Sequence, residues 1–148
     1  MAVSLGDLRY YQNEDIEPGK KATGVGTDFP PGACIQLDPA TGLWVLSDVD
    51  NTTWRHGVIP NLYPIPTESN AGIQVVTGSG AEIYVRLNGT AKPNQGILGD
   101  DGGKVKGVTG VGFASYIGKE GEGMGGLDDL ATDAADEAIV CIKIGPGA

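Results

Sequence analysis

A chain of 148 residues, 40% of them hydrophobic, can bury the core of one domain or of two small related halves. Its net charge of −9 argues against direct binding to nucleic-acid backbones, which needs clustered Lys and Arg, and equally against an anionic membrane surface. Gly 25 and Pro 9 without a Gly-X-Y period read as turns between short strands rather than as disorder.

The N-terminal MAVSLGDLRYYQNEDIEPGKK has no basic stretch followed by an apolar one, so no secretory signal is expected. Leu5, Leu8, Tyr10 and Tyr11 are scattered among polar residues with no sustained period. We read residues 1–20 as an extended arm that orders against another molecule; packing onto its own domain is the alternative. Residues 21–148 then form a single β-rich domain.

From Pro30 onward strand signals dominate. Ala33, Ile35 and Leu37 alternate with Cys34 and Gln36, which predicts one apolar face. Asp38-Pro39-Ala40-Thr41-Gly42 supplies turn chemistry, and Leu43-Trp44-Val45-Leu46 returns as the partner strand. Further strands are predicted at 57–59, 73–76 and 83–87, the last with Ile83, Val85 and Leu87 facing inward. After Gly89 the grammar restarts. Gly96-Ile97-Leu98, a turn at 99–103 and Lys104-Val105-Lys106 resemble the first hairpin. Gly112 stands where Gly57 stood, and the strand 138–145 mirrors 81–89. The spacing predicts an internal repeat, 30–89 and 96–145. One short helix is expected between Gly126 and Ala138, with Leu127, Leu130, Ala131, Ala134 and Ala135 on one face. The expected fold class is therefore all-β with at most that helix: a small β-barrel or a β-tulip-like sandwich. Cys34 and Cys141 lie in strands far apart and are expected as buried free thiols.

The chain offers little catalytic chemistry. His56 is the only histidine, and no Gly-x-Ser-x-Gly accompanies it. An edge or interface histidine is the expectation. Zinc needs Cys and His at close spacing, which is absent. Asp48-Val49-Asp50-Asn51 is similar to the start of a calcium loop but lacks its glycine, its distal glutamate and its flanking helices, so a polar turn is expected. The glycines at 107–112 and 118–121 lack the phosphate-cradling pattern. We expect no catalytic, metal or cofactor-binding residue. Trp44 and Trp54, with Tyr63 and Tyr84, keep open a second reading as a carbohydrate- or cell-surface-binding module.

Laid out in this way, the chain resembles the capsid cement, or head-decoration, proteins of tailed viruses. The resemblance rests on Gly32-Ala33-Cys34-Ile35-Gln36-Leu37-Asp38 with Gly42-Leu43-Trp44-Val45, on Gly57-Val58-Ile59, and on Gly80-Ala81-Glu82-Ile83-Tyr84-Val85-Arg86-Leu87-Asn88-Gly89. The pattern returns in Gly99 to Val105, Gly112-Phe113-Ala114 and Asp136 to Ile144. It departs from the family in the proline-bearing loop 61–70 and around Lys119. The resemblance implies a non-enzymatic structural virion protein, made in the host cytoplasm and located on the outer capsid surface. It implies the major capsid protein as partner, self-association as a homotrimer, and no nucleic acid, membrane or cofactor. By the same analogy Leu5, Leu8, Tyr10 and Tyr11 would be capsid-contact residues, through pairing of an extended segment with a sheet edge.

Overall fold

The computed structural model describes residues 3–22, 29–62, 71–128 and 132–145. The chain is a two-sheet, all-β protein. One sheet has five strands: β2 (Ile16–Lys20), β3 (Cys34–Leu37), β4 (Trp44–Leu46), β5 (Arg55–Val58) and β6 (Gly72–Val76). The other has six: β1 (Leu8–Tyr10), β7 (Glu82–Arg86), β8 (Gly96–Gly99), β9 (Val105–Val108), β10 (Ala114–Lys119) and β11 (Ile139–Ile144). All the strand ladders are antiparallel.

The strand orders reveal a duplication. The smaller sheet runs β2-β6-β5-β3-β4, and the larger, after β1, runs β7-β11-β10-β8-β9. Subtracting five from each label of the second converts it into the first. Details of the backbone repeat too. Ala33 N–H bonds Pro30 O and Gln95 N–H bonds Lys92 O, both at 3.0 Å. In these turns Pro31 and Pro93 precede Gly32 (φ 82°) and Asn94 (φ 65°), the two residue types that best tolerate a positive φ. Each sheet curls until the residues after its first strand meet its last. Parallel bridges join Lys21 to Trp44 and Leu87 to Val105. Ala22 N–H then bonds Trp44 O at 2.9 Å, as Asn88 N–H bonds Val105 O at 2.7 Å. Each closure is a single bridge, and neither sheet becomes a continuous barrel.

The repeating unit therefore differs from the 30–89 and 96–145 expected. It is β2–β6 against β7–β11, so the closing strand β11 corresponds to β6 and not to β7. The outward-reaching arm expected over 1–20 is also corrected. β1 pairs with β7 and β2 with β6, because the apolar residues there find edges of their own sheets. The helix expected between Gly126 and Ala138 is absent from the described part of that stretch; residues 129–131 lie outside it. Leu127 bridges Glu120 and Ala134 bridges Ala91, so both flanks spend their backbone groups on neighbouring chain. The remaining helical turns are three-residue 3-10 turns at 13–15, 49–51, 101–103 and 124–126. Most of loop 61–70 lies outside the described residues.

The main core lies between the sheets. Ile83, Val85, Leu87, Ile97, Tyr116, Val140 and Ile142 meet Cys34, Val58 and Val76 there. A second apolar cluster, with Ile35, Trp44, Ile73, Val75, Phe29 and Ile59, occupies the opposite face of the five-stranded sheet. β3 is thus buried on both faces, Gln36 included, where its alternation predicts one apolar face. Trp44 fits because glycines make room: a Cβ on Gly19 would stand 2.5 Å from Trp44 Nε1. The Asp38–Gly42 turn forms as its chemistry demands. Asp38 Oδ1 accepts from Ala40 N–H at 2.8 Å, and Gly42 takes φ 72°. Cys34 and Cys141 are buried and free. Burial pushes each thiol up to about 12.

Candidate functional site

Six large hydrophobic side chains are exposed among the described residues: Tyr10, Tyr11, Val49, Leu62, Val111 and Met124. Two of them, Tyr11 (39% exposed) and Leu62 (41%), line one cleft beside β1, and Tyr10 (50%) and Met124 (87%) are the chain neighbours of its lining residues Tyr11 and Gly125. Scattered single hydrophobics need no explanation, but exposed ones that share a cleft make it the candidate site.

The cleft is built from the strand outward. Gly6 N–H donates to Tyr84 O at 2.8 Å and Tyr84 N–H to Asp7 O at 3.0 Å, which fixes the chain entering β1 against β7. Asn61 clamps the same segment, its N–H on Gly6 O at 2.8 Å and its Nδ2 on Asp7 Oδ1 at 3.0 Å. On the other wall, Tyr84 Oη donates to Gly125 O at 2.8 Å, and burial raises its phenol above the usual tyrosine range. Arg9 holds Glu82 as an ion pair and reaches Met124 O at 3.4 Å. Leu8, Tyr11, Leu62, Tyr84, Gly125 and Gly126 line the resulting space, about 370 Å³. Leu8 is half-buried against the main core.

The four expected contact residues thus divide. Tyr11 lines the cleft, and Tyr10, exposed beside it in the chain, accepts from Gln12 Nε2 at 3.2 Å. Leu8 lines the cleft wall, and Leu5 turns away to a separate depression with Pro30, Pro31 and Arg86. Leu62 and Met124 escaped the sequence reading. Met124 had a signal: Gly121-Glu122-Gly123-Met124-Gly125-Gly126 gives a large apolar side chain no neighbour to hide beneath.

Edge geometry singles out the same place. β4 is met by Lys21 and Ala22, and β9 by Leu87 and Asn88. β2 carries Pro18, which has no N–H to donate. β1 is the terminal strand of its sheet and contains no proline.

Tyr63 lies outside the described residues, and the candidates that follow have structural roles. Trp44, 2% exposed, is core and cannot serve as a sugar platform. Asp48 Oδ1 accepts from Asp50 N–H at 2.8 Å, an Asx turn. Among the described residues no cluster of His, Cys, Asp and Glu could hold a metal ion. Gly107 and Gly118 lie within β9 and β10 and open no helix. No described helix is long and apolar enough to cross a membrane.

His56 is buried at the junction of the two sheets. Its ring stacks on Phe113 with centroids 4.7 Å apart. Its Nδ1 lies 2.7 Å from Trp54 O and its Nε2 3.2 Å from Gln36 Nε2. No protein-family model matches the chain, and no curated protein matches it in sequence.

Proposed function

We propose that this chain is a structural virion protein that binds the outer surface of an assembled capsid and stabilises it, with the β1 cleft as its contact surface. The observation that carries the proposal is the exposure of Tyr11 and Leu62 in a cleft beside the terminal strand β1, with exposed Tyr10 and Met124 next in the chain to its lining residues. Exposed tyrosine and methionine on a firmly held frame suit a protein–protein contact: tyrosine brings large area at low conformational cost, and methionine adapts to the partner's shape. The resemblance to cement proteins supplies the partner, the major capsid protein, and the outward location.

The arm takes a different form from the one the resemblance implies. With β1 already paired to β7, contact comes from the outer side of β1 and its tyrosines, where an extended segment of the shell protein adds as a further strand. A surface of this size is a weak single contact. Repetition over a lattice, or presentation by a homotrimer, raises the avidity. Net negative charge is compatible with a surface that never meets packaged DNA.

The test is co-sedimentation of the purified chain with expanded and unexpanded shells of its own virus. Binding to the expanded shell, lost on Tyr11→Ala with Leu62→Ser, is the expected result. Absence of binding to either shell overturns the proposal.

A further inference from the structure

We propose that the junction of the two duplicated halves is an acid-sensitive latch, closed while His56 is neutral and loosened when that ring takes up a proton. The inference stands apart from capsid binding and rests on three contacts whose donor and acceptor roles are forced.

The first is Nδ1. It lies 2.7 Å from Trp54 O, and a carbonyl only accepts, so Nδ1 carries the hydrogen. The neutral ring therefore presents Nε2 as an acceptor. The second is Gln36, whose orientation is set by one backbone unit. Asp48 N–H donates to Gln36 Oε1 at 2.8 Å, and Gln36 Nε2 donates to Asp48 O at 3.1 Å. Exchanging the amide atoms would set donor on donor and acceptor on acceptor, so Nε2 is the group that faces His56. The third contact follows: Gln36 Nε2 donates its second hydrogen to His56 Nε2 at 3.2 Å. A proton on His56 Nε2 would turn that bond into two opposed N–H groups.

The surroundings offer the cation no relief. Gln36 is fully buried and His56 nearly so. A Cβ on Gly99 of β8 would lie 3.0 Å from Gln36 Nε2 and 3.1 Å from His56 Nε2, so β8 packs its backbone directly against the pair.

Apart from the Asp50 carboxylate, the charged groups on the packed elements have partners of their own. On β3 the Cys34 thiol, raised by burial, stays neutral. Asp48 caps Asp50, and Asp101 Oδ1 accepts from Val49 N–H. Arg55 of β5 pairs with Glu17. Asp100 accepts from Asn88 Nδ2 and from its neighbour's N–H, and Lys104 pairs with Glu137. The loop before β10 offers the Phe113 face, whose attraction for a cation is weaker than the lost hydrogen bond together with the buried charge. Burial lowers the His56 pKa from 6.5, and the Trp54 carbonyl opposes that only in part.

The sign follows. The unfolded chain binds the proton at about pH 6.5 and the folded chain only at lower pH, so stability is full above that value and falls as pH drops through the window below it. The experiment uses the full chain and its one histidine, whose imidazole resonance is followed by NMR alongside amide hydrogen exchange. We expect a His56 midpoint below 6.5, with the amides of β3, β5 and β8 losing protection by roughly tenfold or more between pH 6.5 and that midpoint. In His56→Gln that loss should disappear. A His56 midpoint at or above 6.5, or protection of these amides unchanged as the ring titrates, overturns the latch. The wild-type titration decides the matter alone if the variant does not fold.

Discussion

His56 and Phe113 are the same position of a duplicated unit, and they stack on each other. Gly57 pairs with Ile35 and Ala114 with Ile97, so the residues just before Gly57 and Ala114 correspond. Their rings, 4.7 Å apart and inclined by 23°, meet where the two halves meet. A duplicated chain that folds back on itself brings equivalent residues together at its local two-fold. Here one copy kept an apolar ring and the other a titratable one. Phe113→Ala should therefore destabilise the protein by about 2–3 kcal/mol, less than a fully buried phenylalanine because the ring is half-buried. Urea denaturation measures it, and a loss below about 0.5 kcal/mol would deny the stack a structural role.

Acid sensitivity has a second, separable source. The hydrogen bond from Arg55 lowers the Glu17 pKa from 4.5, with help from Thr77 and against the effect of burial. A carboxylate with a lowered pKa adds stability that is complete above its unfolded value and lost as pH falls through the folded one. Glu17→Gln should flatten the thermal stability profile below about pH 4.5 and leave the His56 window untouched. The gain is small, because both partners are partly exposed to water.

Trp44 occupies space that Gly19 leaves empty. Gly19→Ala forces a Cβ to 2.5 Å from the indole nitrogen, and the indole is fully packed. The expected cost is about 1–3 kcal/mol, with a shift in tryptophan fluorescence that marks the site. An unchanged spectrum would place Trp44 elsewhere.

Asn94 and Gly32 hold equivalent turn positions with positive φ. Asn94→Gly should be neutral or slightly stabilising, and Asn94→Ala should cost about 1 kcal/mol through backbone strain. Thermal melts of the pair of variants check this. Equal stabilities would remove the strain argument.

Tyr11→Ala, Leu62→Ser and Met124→Ser each truncate an exposed side chain and should leave the melting temperature nearly unchanged. Combined, they should abolish sedimentation with capsid shells. Retained binding by a folded triple variant would move the contact to another face.

Much of the fold was legible wherever local chemistry decides it. The Asp38–Gly42 turn, the inward set Ile83, Val85 and Leu87, and the all-β class all follow from turn residues and from alternation with period two. The phase of the duplication was not. Trp44 corresponds to Val105, and Leu37 to Gly99, so packing needs on each side erased the likeness of the copies. The surviving mark is a backbone one, Pro31-Gly32 against Pro93-Asn94, which a search for similar side chains passes over. The N-terminal segment misled for another reason: its strands are short and half-buried, and only the edges they join make them strands. The cleft was half visible, as Leu8 and Tyr11. Its other wall comes from residues far along the chain, which no local pattern links to β1.

Pro18 sets the valence of the molecule. It corresponds to Tyr84, whose N–H secures the chain entering β1, so the β2 edge cannot accept a mirrored strand in the same way. A protomer with two open edges would be a monomer for fibre growth. Among the described residues one edge is sealed by an imide nitrogen and two others are met by the chain itself, so a strand added at β1 would have no second edge of this kind to which the pairing could pass. The coat role proposed above would need that property, because such a component must stop at a single layer.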